Sequence, residues 1–177
     1  MSHISMIDYD TAAQDVRDAY DEEVRVRGRM TNMKRTLLHS PTAHRIYAEW
    51  FTLRDTLRPH VDDRSIWLFS HAISDASRSL IATTFFRRAL MSAGFSPETL
   101  VPTEQEKLLI DFGQAIVADS NAIPTPIWAA LKVHYDEATL VNLVAFAGIM
   151  LATAVFINVV EVEADPELAP YFKQQPA

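Results

Sequence analysis

The sequence predicts an all-α protein, and three observations carry that reading. Apolar residues recur at intervals of three and four rather than two, the spacing of one helix face. No Asn-Gly or Asp-Gly dipeptide, the strongest short hairpin signal, occurs in the chain. Helix-start signals, Ser or Thr before Pro and Asp before an apolar run, recur along its length.

Taken in order, the first helix is expected from about Thr11, with Asp10 as N-cap. It presents Ala12, Val16, Ala19, Tyr20 and Val24 on one face, acids and bases on a solvated face, and stops at Gly28. Ser40-Pro41 opens a second helix through Ile46, Trp50 and Leu53 that must end near Pro59. A long segment follows from Val61 or Asp62 to Ala93, closed by Gly94. Small polar residues crowd its middle, so a break is expected between Ser74 and Ser77. Ser96-Pro97-Glu98 starts a short turn, and Thr103 with Glu106 forms a capping box before Leu108, Leu109, Phe112 and Ile116. Thr125-Pro126 opens a short helix through Trp128 and Leu131, and Asp136 caps a long apolar one. The tail over 165–177, with three prolines, reads as extended over the surface. No repeat and no composition shift divides the chain, so one domain of seven or eight helices over 1–177 is expected.

Composition narrows the function classes. The 177 residues are 49% apolar and 22% charged, too apolar for a chain that stays unfolded. The net charge of −7, with no long Lys/Arg block, argues against nucleic acid as a partner, because phosphate neutralisation needs clustered cations. The start carries no basic segment and no apolar run of signal-peptide length, so a cytoplasmic protein is expected. The uncharged stretch Ala138–Val160 meets the length criterion for a membrane span. Its flanks, Asp136, Glu137, Glu161 and Glu163, are acidic, with no snorkelling cation and no aromatic belt. A bundle core or a subunit interface explains it better, so no membrane partner is expected.

The absence of cysteine excludes disulfides, thiolate metal sites and thiol redox chemistry together. No zincin, di-iron, nucleophile-elbow or phosphate-loop motif occurs, so neither metal nor cofactor is read. His3, His39, His44, His60 and His134 fall near expected termini, caps or loops, where solvated or capping roles prevail. His71 differs, because Asp75 four residues on shares its helix face and can orient the imidazole. That pair is the candidate acid/base site, although such pairs are common in purely structural settings. Phe85, Phe86 and Trp67 are candidates for an apolar pocket or for plain core.

The order of the segments Gly28–Asn32, Leu37–Pro41 and Phe85–Gly94 resembles the carboxymuconolactone decarboxylase or AhpD-like (alkylhydroperoxidase D-like) family. The resemblance runs from the first helix to Val160. It implies an all-α, homo-oligomeric protein with apolar helices at subunit contacts. Active AhpD-like members carry a Glu, a Cys-x-x-Cys twelve residues on and a His four further. Counted back from Gly94, the Glu falls at Trp67, the two cysteines at Ser79 and Ala82, and the His at Phe86. All four are replaced, which removes the thiol chemistry and the obvious proton shuttle. Two outcomes follow. The pocket is filled, leaving a binding protein or pseudoenzyme with a degenerate active site. Or it is relined for a small hydrophobic carbonyl or lactone compound, with His71 and Asp75 as the new acid/base pair. A peroxidase-related antioxidant role rests on the resemblance alone.

Overall fold

The computed structural model describes residues 2–173, and among them there is no β-strand. Eight α-helices follow one another: α1 (Gln14–Arg27), α2 (Asn32–Leu37), α3 (Pro41–Leu57), α4 (Asp63–Ala76), α5 (Leu80–Ser92), α6 (Glu104–Ala118), α7 (Thr125–His134) and α8 (Glu137–Val160). A 3₁₀ turn, Pro166–Tyr171, completes the chain order.

Most boundaries are set by local chemistry visible in the sequence. Ser40, Asp62 and Asp136 accept hydrogen bonds from the N–H groups of Ala43, Ser65 and Thr139, satisfying donors that the first turn leaves free. Thr103 and Glu106 form the reciprocal capping box of α6. Gly28 and Gly94 close α1 and α5 with φ of +78° and +87°, a region open to glycine without a Cβ clash. The break in the long central segment falls at 77–79. There Arg78 adopts φ +54°, which turns the chain between α4 and α5.

Four sequence expectations are corrected. The first helix begins at Gln14 after Ala13, because Asp8 accepts from the Asp10 N–H and Tyr9 O accepts from the Ala12 N–H, tying 8–12 into a turn. The short α2 has no counterpart in the expected elements, its only start signal being Thr31, which accepts from Lys34 N–H. Ile46 lies on the outer side of α3, 58% exposed, since Trp50 and Leu53 already face the core. The segment after Asp165 is coiled, not extended, through Tyr171: Leu168 is buried and Arg87 Nε donates to Tyr171 O at 2.9 Å. The rest of the expected tail, 174–177, lies outside the described residues.

The core centres on α4, which packs against α5, α6 and α8, while α3 lies along α8. Phe69 stacks on Phe112 of α6 and Phe146 of α8 at ring separations of 6.0 and 6.1 Å. The α4–α6 approach depends on Gly113. A Cβ there would stand 3.0 Å from Ile73 Cγ1 and 3.1 Å from Phe69 Cδ2. The apolar α8 buries Leu143, Phe146, Ala147, Met150 and Ala154 on one side. Its other side leaves Val141, Val144, Val155 and Val159 exposed. By length and composition α8 also passes the test for a membrane-crossing helix, as core helices of soluble proteins do.

Candidate functional site

The positions read as family site residues and the pair His71 and Asp75 do not share one site. Ala82 and Phe86, one turn apart on α5, line a partly open cavity of about 320 Å³ bounded by α1, α2, α3, α5, α8 and the segment from Asp165 into the 3₁₀ turn. Phe51, Phe85, Met33 and Met150 supply further apolar wall. A wide apolar wall interrupted by a few polar groups is the usual make-up of a small-molecule site. Ala82 contributes only a methyl group where the resemblance expects a thiol, and the space remains open. Trp67 is not in this wall; it packs against the core cluster. Ser79 is fully buried at the start of α5, its Oγ without a hydrogen-bond partner, and it does not line the cavity either.

One end of the cavity is polar, and sequence reasoning missed it. Glu23, on the face of α1 expected to be apolar, is 4% exposed. Lys34 Nζ lies 2.5 Å from its Oε1, Arg27 Nε lies 3.3 Å from the same oxygen, and His44 Nε2 lies 3.4 Å from Oε2. One buried carboxylate thus sits among three basic side chains from α1, α2 and α3. Arg27, Lys34 and His44 line the cavity; Glu23 stands behind them. Arg27 Nε and His44 Nε2 are buried without a hydrogen bond, so their attraction to Glu23 is electrostatic only. Burial lowers the pKa of the Lys34 ammonium and of the His44 imidazole, with Glu23 opposing the shift in each. The guanidinium of Arg27 also lies 4.0 Å over the Phe51 ring. His44 is therefore a buried member of a charge cluster, not a solvated cap. The signal in the sequence is an acid at position 23, seven residues after Val16 and three after Tyr20, inside the apolar stripe of α1.

A further acidic group reaches the cavity from Asp165, whose carboxylate accepts from the Asn32 N–H at 2.8 Å and whose pKa is raised by burial. Arg29 sits beside it and pairs with Glu167.

His71 and Asp75 both line a concave place, a separate cleft of about 390 Å³ on another side of α5, with no hydrogen bond between them. Its wall includes Thr83, Thr84, Arg87 and Glu98 but not Trp67, Ser79, Ala82 or Phe86. His71 Nε2 is buried and unpartnered, and burial lowers the imidazole pKa against the opposing charge of Asp75. Arg87 is already engaged, to Glu98 at 2.5 Å and to Tyr171 O. The Thr84 hydroxyl donates to Leu80 O and so bonds back to its own helix. Among the described residues no three acids or histidines converge to hold a metal ion.

The fold is that of the carboxymuconolactone decarboxylase and AhpD-like proteins. A crystal structure of the debrominase Bmp8, as a cysteine-to-alanine variant in complex with 2,3,4-tribromopyrrole, superposes with a TM-score of 0.76 at 14% identity, over 97% of this chain and 96% of that one. Apo Bmp8 gives 0.75 at 15% identity, covering 95% of both chains. The AhpD core of an uncharacterized peroxidase-related protein from Ralstonia eutropha JMP134 gives 0.69 at 18% identity, covering 94% of both. No protein-family model matches the chain, and no curated protein sequence does. At these identities the likeness is one of fold.

Proposed function

We propose that this chain is a thiol-free AhpD-like protein whose cavity beside Ala82 and Phe86 binds a small planar aromatic molecule. The observation that carries the reading is that the space at Ala82 is open and apolar, at about 320 Å³ the size of a one- or two-ring ligand. The neighbour Bmp8 was crystallised with a halogenated pyrrole, a ligand of that size and shape. Thiol peroxidase turnover is not part of the proposal, since the chain has no cysteine to oxidise. The site is in that sense degenerate. Calorimetric titration with 2,3,4-tribromopyrrole and bromobenzene tests the reading: binding to the wild type and its loss in Ala82→Trp, which fills the cavity, are the expected results. Equal binding by Ala82→Trp would refute it.

A second reading, acid/base catalysis on a small carbonyl or lactone compound by His71 and Asp75, is favoured by one observation: the unpartnered Nε2 in a cleft beside a carboxylate. Lactone hydrolysis lost in His71→Ala, with the helical spectrum intact, would support it over the first. A homo-oligomer is proposed with either reading, the exposed valines of α8 seating a second copy of the chain.

A further inference from the structure

The cavity's polar end carries information about its occupant. Its wall presents three permanent or near-permanent cations, Arg27, Arg29 and Lys34, against one carboxylate, Asp165. Behind the wall, Glu23 is shared by Arg27 and Lys34, and Glu167 is shared by Arg29 and Arg88. Each of these two outer carboxylates serves two cations, in a chain whose overall charge is −7. The positive excess at this one place is therefore local and runs against the global balance. His44 Nε2 and Arg27 Nε are both turned to Glu23, at 3.4 and 3.3 Å, without a hydrogen bond.

Resting on the reading of the cavity as a ligand site, we infer that its occupant is an aromatic monoanion, a ring carrying one carboxylate. The ring would lie against Phe51, Phe85 and Phe86, and the carboxylate would face Arg27, Lys34 and Arg29. A cation excess partly withdrawn from water is costly without a counter-charge, and an anionic ligand supplies one through charge-assisted hydrogen bonds. Burial already lowers the pKa of Lys34 and of Arg29, the sign of cations short of solvation. With Arg88 counted beside Arg27, Arg29 and Lys34 against Asp165, Glu23 and Glu167, the excess is about one charge, which suits a carboxylate, not a phosphate, which brings nearly two.

The test compares 4-bromobenzoate with its neutral isostere 4-bromobenzamide, by calorimetry on the full chain at neutral pH. The expected result is benzoate binding at least tenfold tighter, with the preference shrinking as salt is added. Lys34→Met and, separately, Arg29→Gln should bring the ratio down to about threefold or less, with benzoate losing more affinity than benzamide. Arg29 is only partly buried, so its variant keeps the test open if Lys34→Met does not fold. Benzamide binding as tightly as benzoate, or a ratio untouched by both variants, would overturn the monoanion and leave the apolar cavity standing as a ligand site. Neither probe binding would overturn both.

Discussion

Glu23 of α1 and Lys34 of α2, eleven residues apart in sequence, meet at 2.5 Å beneath the cavity, with the Glu23 side chain 4% and the Lys34 side chain 18% exposed. The contact joins the first helix to α2, and His44 joins it to α3. A buried ion pair need not stabilise relative to an apolar substitute, because both charges lose hydration. Removing one partner is a different matter. Glu23→Ala strands Lys34, Arg27 and His44 together, and the expected cost is about 3–5 kcal/mol. Chemical denaturation of this variant against the wild type measures it, and a loss below about 1 kcal/mol would mean that water already screens the cluster.

The same cluster makes stability depend on pH. His44, faced by Glu23, Lys34 and Arg27, and His71, faced by Asp75, Arg87, Lys173 and Glu98, both have folded pKa values held below the ordinary 6.5 by burial. Below pH 6.5 the unfolded chain therefore binds protons that the folded chain does not. Stability is complete above that pH and falls as the pH drops through it toward the folded values. The melting temperature should hold level above about pH 7 and fall below about pH 6.5, and the double variant His44→Gln, His71→Gln should flatten that slope. An unchanged slope in the double variant would place the proton uptake elsewhere.

Gly113 is where α6 meets α4. A methyl group there would press on Ile73 and on the Phe69 ring at 3.0–3.2 Å, at the centre of the aromatic stack. Despite the better helix propensity of alanine, Gly113→Ala is expected to destabilise by about 1–3 kcal/mol through overpacking. Thermal unfolding reads the sign directly, and a stabilised variant would show that Phe69 has room to shift.

The outer face of α8 carries Val141, Val144, Ala145, Gly148, Val155 and Val159 in one stripe, with open space above Gly148. If a second copy covers it, Gly148→Trp should reduce the assembly seen by sedimentation velocity without changing the helical spectrum. A Cβ at this position meets nothing within 4 Å in one chain. A wild type that sediments as a monomer at micromolar concentration would refute the covering.

How legible was this in the residues? The helices opened by Ser40, Asp62, Thr103 and Asp136 were, because capping is local chemistry and each cap sits where the sequence puts it. The all-α class was legible for the same reason, from the three- and four-residue spacing. The short α2 was not: six residues bury too little to leave a periodic pattern. The polar end of the cavity was hidden more deeply. Glu23, Lys34 and His44 come from three helices, and nothing in their spacing announces a meeting that only the packing of α1, α2 and α3 creates. His71 and Asp75 were visible because they are neighbours on one turn, yet the fold sends them to a cleft apart from Ala82 and Phe86.

Anomalous scattering reports whether the open space beside Ala82 holds a small aromatic ring, as proposed. Crystals soaked in 4-bromobenzoate or 2,3,4-tribromopyrrole should show a bromine peak among Ala82, Phe86 and Phe51, absent from Ala82→Trp crystals treated alike. Bromine found only in the cleft of His71 and Asp75, or no ordered bromine in the wild type, would show that this space holds no such ring.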